Sequence, residues 1–233
     1  FFGNTDIPPG CNATSVESFA GAICPEFDLP FSQFALLHTN HLDEARGITS
    51  WLARALPRAE KYATEGLTLH NTTVKYSGGA RYSTLMGYDG TVTVPPMESE
   101  GVNAYSNYPG ANSAAMALAY TDWAVDGKYD EIAKRILKGT TQVSLEDLQW
   151  RDDFGGYLDK HAPSAVQQSA AIFGLRESLR RGVAEPGWED MATKIILPTA
   201  DFQGSKVITA GAGAVPFDGF GDACWLQGLW WYG

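Results

Sequence analysis

The sequence predicts an α+β domain that is predominantly α, one helix-rich unit with a small inserted β-hairpin element. Three observations carry this. Apolar residues recur at three- and four-residue steps along much of the chain, which is the period of a half-buried helix. One stretch, residues 67–94, switches to β-forming residues broken by turn signals. No strand–helix alternation is visible, so a parallel sheet is not expected. The chain has 233 residues, 44% of them apolar and 19% charged. That composition supports a folded core and argues against disorder. We read residues 1–233 as a single domain, since no linker divides them and no repeat period appears.

Residues 1–33 are rich in Gly, Pro, Ser and Phe and read as an irregular N-terminal arm. The first helix is expected at residues 40–56, where Leu42, Ala45, Ile48, Leu52 and Leu56 form one apolar stripe. Asn40 would cap its start and Pro57 would end or kink it. A short helical turn would follow to Thr64, stopped by Gly66. Across residues 67–94, Thr72, Val74, Tyr76, Tyr82 and Val92 favour strands, interrupted by Ser77-Gly78-Gly79 and Tyr88-Asp89-Gly90. Residues 97–110 read as a polar, aromatic loop.

Asn112 or Ser113 is placed to cap a helix over 114–125, nearly all apolar and so expected at the centre of the core. A second helix follows at 129–138, with Gly139 as its C′ residue. Ser144-Leu145-Glu146-Asp147 has the spacing of a capping motif for a further short helix. Residues 164–181 form another helix, with Ile172, Leu175 and Leu179 inward. Trp188, Met191 and Ile195 mark a last helix, stopped by Pro198. The C-terminal segment, 204–233, is rich in Gly and aromatics and reads as extended. Its Gly211-Ala212-Gly213 lacks the ending of a phosphate loop, and its Trp225, Trp230 and Trp231 read as core closure or as a ligand-stacking platform.

Acidic residues number 27 against 17 basic ones, for a net charge of −10. Nucleic acid and anionic membrane both require a basic footprint, so neither is an expected partner. The chain starts Phe1-Phe2 without Met, which reads as the start left by a removed leader or as a trimmed end. Two sequons, at Asn12 and Asn71, are potential glycosylation sites. Together these features lead us to expect a secreted glycoprotein. The three cysteines, Cys11, Cys24 and Cys224, allow a Cys11–Cys24 loop or a Cys11–Cys224 link, each leaving one thiol over.

Four constellations could carry chemistry. The densest spans 150–161 and holds Asp152, Asp153, Asp159, His161 and Tyr157 around a Gly-containing turn. Paired carboxylates, or a carboxylate beside a His, supply the acid and base that cleavage of a glycosidic bond needs. The blander alternative has these acids capping a turn on a solvated face. The second is Asn103, Tyr105, Asn107 and Tyr108, which offer hydrogen bonds and stacking faces to a sugar or planar ligand, or else seal the edge of the core. The third is His38 and His41 with Asp43 and Glu44, a spacing close to that of metal ligands if one helix carries them all. Packing or capping explains such a pair equally, and no metal is expected.

The fourth is Cys24-Pro25. Together with Ser144-Leu145-Glu146-Asp147-Leu148, it resembles the secreted fungal haem-thiolate peroxidases and peroxygenases. The resemblance implies haem held by Cys24 and a second pair of cysteines in a disulfide. It covers about ten residues, and the chain departs from that family at Ile23 and at Trp150-Arg151-Asp152-Asp153.

The leading expectation is therefore an enzyme, hydrolase or lyase, acting on a glycan or similar neutral organic substrate. Asp152, Asp153, Asp159 and His161 would serve as acid and base. Tyr157, Asn103, Tyr105, Asn107 and Tyr108 would bind substrate, with no cofactor. The alternatives are the haem-thiolate oxidoreductase and a non-catalytic secreted binding or effector protein.

Overall fold

The computed structural model describes residues 23, 25, 28–69, 72–83, 86–91, 107–152, 156–160 and 165–201. Among these, helix dominates. The elements are α1 (Asp28–His38), α2 (Leu42–Glu65), β1 (Leu67–Leu69), β2 (Thr72–Val74), α3 (Tyr108–Ala124), α4 (Asp130–Asp147), β3 (Leu148–Arg151), β4 (Gly156–Asp159), α5 (Ala165–Arg180) and α6 (Trp188–Asp201). The strands pair two by two and antiparallel. Leu67 stands opposite Val74, and Leu148 stands opposite Asp159.

The helices pack as neighbours in sequence: α2 and α3, α3 and α4, α4 and α5, α5 and α6. The expected stripe on α2 is the buried one, with Ala45, Ile48, Leu52 and Leu56 inward. It meets Ala111, Ala114, Ala117 and Leu118 of α3 and Ala133, Ile136 and Leu137 of α4 in the main core. A second cluster gathers Leu175 of α5 with Trp188, Ala192 and Ile195 of α6, against Leu145, Leu148 and Tyr157. Leu179, expected inward, is exposed at the end of α5.

Several boundaries differ from expectation, each for a physical reason. The N-terminal arm gives way to helix at Asp28, so α1 takes in residues read as irregular. Asn40 does not cap α2. It adopts φ 60° at the end of α1, where its N–H donates to Leu37 O and the N–H of His41 donates to Leu36 O. That is the Schellman arrangement, with Asn as the left-handed C′ residue. Pro57 lies inside α2, which continues to Glu65. The proline removes one backbone donor, but burial of Ala55, Leu56, Ala59 and Ala63 along the same stripe keeps the helix whole.

Asn112 and Ser113 are buried within α3, which starts at Tyr108 with Pro109 in its first turn. Gly139 is mid-helix, not a C′ residue. A Cβ there would stand 2.8 Å from Ala80 Cβ, so the glycine lets the segment after β2 lie on α4. Ala80 N–H donates to Gly139 O at that contact, 2.9 Å. With α4 running through it, Ser144–Asp147 is the last turn of a helix and not the cap of a new one. Pro198 likewise falls inside α6. The C-terminal stretch 204–233, its three Trp and its Gly-rich run lie outside the described residues.

Candidate functional site

Asp147 closes α4, and its carboxylate is fully buried. A carboxylate at a helix C-terminus opposes the helix dipole, so something must hold it there. The partners come from three other parts of the chain. Tyr76, just past β2, donates its hydroxyl to Asp147 Oδ2 at 2.7 Å. Asn107, at the N-cap position of α3, donates Nδ2 to the same oxygen at 2.9 Å. Lys160, just past β4, sets Nζ 3.3 Å from Asp147 Oδ1 and also donates it to Glu146 O at 2.9 Å. A cation over the last carbonyls of a helix offsets the unfavourable carboxylate.

Asn107 is the joint of the arrangement. An Asn at this position usually accepts from the first helical N–H groups. Here its side chain makes no such cap, and its amide also reaches Asp159 Oδ2 at 2.8 Å. One amide group thus holds two carboxylates, from α4 and β4, both essentially without solvent exposure. Arg81 supplies buried positive charge. Its Nη1 donates to Tyr76 Oη at 2.5 Å, and its guanidinium lies 5.5 Å from the centre of the Tyr76 ring. Burial pushes the Tyr76 phenol far above its ordinary value. Arg81 opposes this, and Asp147 adds to it by charge and by hydrogen bond. The phenol therefore stays a neutral donor, and a proton-bearing chain runs from Arg81 through Tyr76 to Asp147.

The segment carrying Tyr76 and Arg81 is strapped to helix carbonyls. Tyr76 N–H donates to Ala63 O and Arg81 N–H to Ala59 O, each at 2.9 Å. The sequence marks Arg81 in one way: it is the lone charged residue between Lys75 and Asp89, in a run of small, aromatic and apolar residues. A charge in such surroundings is buried only when paired. By local pattern alone Asp147 reads as part of a cap and Tyr76 as a strand former, so neither points to the cluster.

The turn end of the β3–β4 pair is different, although it shares a face with Leu148 and the buried Asp159. Trp150 is 52% exposed and stands opposite Tyr157 in the ladder. Their rings meet edge to face, 5.4 Å between centres and 79° between planes. The Trp150 indole Nε1 donates to Asp152 Oδ1 at 2.7 Å, and Asp152 is exposed. The strand pair thus shows an aromatic ring and an oriented carboxylate to solvent, while one end of it is anchored in the buried cluster.

The expected site residues separate accordingly. Asp152 and Tyr157 each touch Trp150 at the turn end of the strand pair, and Asp159 and Asn107 meet in the buried cluster. Tyr108 is buried in the first turn of α3 and offers no ring face to solvent. Asp153, His161, Asn103 and Tyr105 lie outside the described residues, as do Cys24, the other two cysteines, Asn12 and Asn71. The flanks of Cys24 are held in the core: Ile23 and Met86 exchange backbone hydrogen bonds at 2.7 and 2.9 Å, and Pro25 is buried. The other half of the haem-thiolate resemblance, residues 144–148, is the α4–β3 junction, with Glu146 and Asp147 engaged by the chain's own side chains.

His38 and His41 do not share a helix. His38 ends α1 and lies edge-on to Trp123, 5.0 Å between centres. His41 precedes α2, with Nδ1 2.9 Å from Thr39 Oγ1. Asp43 pairs with Arg46 at 2.8 Å. Among the described residues no three His, Cys, Asp or Glu side chains group to hold a metal ion, and no helix is long and apolar enough to cross a membrane. Set against family models, curated proteins and solved structures, the chain matches none of them.

Proposed function

We propose that the chain is an enzyme acting on a glycan or similar neutral organic substrate, a hydrolase or lyase working by acid–base chemistry at the solvent-open turn end of the β3–β4 pair. The observation that supports this reading is Trp150 with Asp152 fixed on its own indole N–H, at 2.7 Å. An exposed indole face suits the C–H face of a sugar ring, and a carboxylate beside it can exchange a proton with the bound ring. The indole occupies Asp152 Oδ1, which leaves Oδ2 as the oxygen to accept or donate that proton. Bond cleavage needs a second group, and Asp153 and His161 stand nearest in sequence to supply it. Tyr157 completes the aromatic surface.

In this reading Asp159 is a positioning residue. It is buried on Asn107, where it fixes β4 and thus the place of Tyr157. The finer fold reading, of the β1–β2 pair as a hairpin inserted between α2 and α3, belongs to the same proposal. So does secretion with Asn12 and Asn71 glycosylated. The net charge of −10 supports a partner that is neither nucleic acid nor an anionic membrane.

The test is turnover on a panel of neutral oligosaccharides, read as new reducing or unsaturated ends. Asp152→Asn keeps an acceptor for Trp150, so circular dichroism and Tm should not move, while turnover falls by a factor of about 100 or more, the size of a lost acid–base group. Full activity in this variant overturns the assignment.

A further inference from the structure

A groove of about 570 Å³ lies between the last turns of α4 and the corner joining α5 to α6. Its walls include Leu145, Pro186, Trp188 and Met191, with Glu146 and Glu185 at the polar edge. Leu145, Trp188 and Met191 pack in the same apolar cluster as Tyr157 of β4. Apolar walls with a few placed polar groups are the usual make-up of a ligand site.

The charge of the groove is unbalanced. Glu146 accepts from Ser77 N at 2.9 Å, from Ser77 Oγ at 2.5 Å and from Gln142 Nε2 at 3.2 Å. All three donors are neutral, and among the described residues no cation pairs with its carboxylate, since Lys160 Nζ, on Glu146 O at 2.9 Å, is paired with Asp147 Oδ1 at 3.3 Å. Glu185 is paired with Lys138, and both side chains are about half exposed, so solvent screens that pair. A groove with one fixed, uncancelled carboxylate, on a chain of net charge −10, attracts a cationic ligand and repels an acidic one.

We infer that this groove is a subsite for the ammonium-bearing ring of an amino-sugar oligomer, its ring on the apolar walls and its ammonium at Glu146. The inference rests on the glycan reading above and names the class of glycan: deacetylated amino sugar, in preference to the N-acetylated or uronic-acid forms.

The test is calorimetric titration of the wild-type protein and of Asp152→Asn, below neutral pH, with three trimers: glucosamine, N-acetylglucosamine and galacturonate. The glucosamine trimer should bind at least tenfold more tightly than its N-acetylated counterpart, and the galacturonate trimer should not bind. Raising salt from about 0.02 to 0.3 M should weaken the glucosamine trimer several-fold, because the contact is ionic and half-open. Glu146→Gln should weaken it about tenfold and leave the N-acetylated trimer unchanged. Met191→Lys, which sets a cation on the wall without touching Glu146 or its donors, should abolish the preference. Equal affinity for the first two trimers, or an undiminished preference in both variants, overturns the inference. Binding is read without turnover, so these outcomes are separate from the Asp152→Asn activity test. A chain that cleaves neutral oligosaccharides yet shows no glucosamine preference loses this inference alone.

Discussion

The crossing of α3, α4 and α5 and the anchored end of the β3–β4 pair lie on the same helix, α4, and are built on opposite terms. At the crossing, close approach does the holding. A Cβ on Gly110 would stand 3.1 Å from Thr140 Cγ2, and one on Gly174 would stand 3.0 Å from Thr141 Cβ. The threonine hydroxyls are satisfied within α4, Thr140 Oγ1 on Ile136 O at 2.9 Å and Thr141 Oγ1 on Leu137 O at 2.7 Å. Two turns later the same helix ends in Asp147, whose stability depends on groups from elsewhere. Small side chains can fail one at a time. A buried charge network is coupled, because its members compensate one another for lost water.

The largest expected effect follows from that dependence. Asp147→Leu removes an acceptor of Tyr76 and of Asn107 and leaves the Lys160 ammonium without this carboxylate. Removing one partner of a buried ionic network costs about 3–5 kcal/mol. Urea denaturation should show that loss, and Asp147→Asn, which retains an acceptor oxygen, should recover part of it. A loss under about 1 kcal/mol would show that the network is dispensable to the fold.

The second prediction sets the crossing against an open position on another helix. Gly174→Ala should destabilise by about 1–2 kcal/mol, since overpacking against a stiff β-branched Thr141 outweighs the helix propensity gained. Gly47→Ala is its control. Nothing lies within 4 Å of a Cβ at Gly47 in α2, so the same change there should stabilise by about 0.5–1 kcal/mol. Equal effects at the two glycines would remove close approach as the explanation of the crossing.

The contrast also explains what could be read from the sequence. Periodic burial was legible on α2, whose stripe falls where the three-four spacing puts it, and on α5 the extent of the helix was legible, while its inward face held at Leu175 and failed at Leu179. Chain punctuation was not, because Pro57, Gly139 and Pro198 carry the local signs of helix ends. Packing of the flanking stripes kept α2 and α4 intact past them. Gly139 is present for the approach of Ala80, 59 residues away in the chain, which no local pattern reveals. Asn40 shows the same limit at one residue, since an Asn between two helices can start the second or close the first. For the site, the sequence groups only residues contiguous in the chain, and Asp152 and Tyr157 are linked through Trp150, each touching its indole. The Tyr76–Arg81–Asn107–Asp147 cluster was missed because its members come from three distant segments. Asn107 was grouped with a surface loop when its amide in fact joins two buried acids.

The smallest expected effect tests whether charge networks in this chain hold only when buried. At the end of α5, Glu177 accepts from Arg180 at 2.7 Å and from Arg181 at 3.2 Å, and Arg181 also reaches Asp122 at 3.0 Å from α3. Partial burial pushes the Glu177 carboxyl up, but the hydrogen bonds and charges of the two arginines outweigh it and hold the group below its ordinary 4.5. Its folded value is thus below its unfolded value. The stabilisation is complete above the unfolded value and is lost as pH falls through the folded one. Glu177→Gln should therefore lower stability by about 0.5–1 kcal/mol at neutral pH, the range of a partly exposed network pair. The gap between variant and wild type should close as pH drops below 4.5 and shrink in high salt. At the buried network of Asp147, by contrast, salt should change little, because screening ions do not reach it. A Glu177 effect as large as that of Asp147→Leu, or one indifferent to pH, would erase the distinction between the two kinds of network.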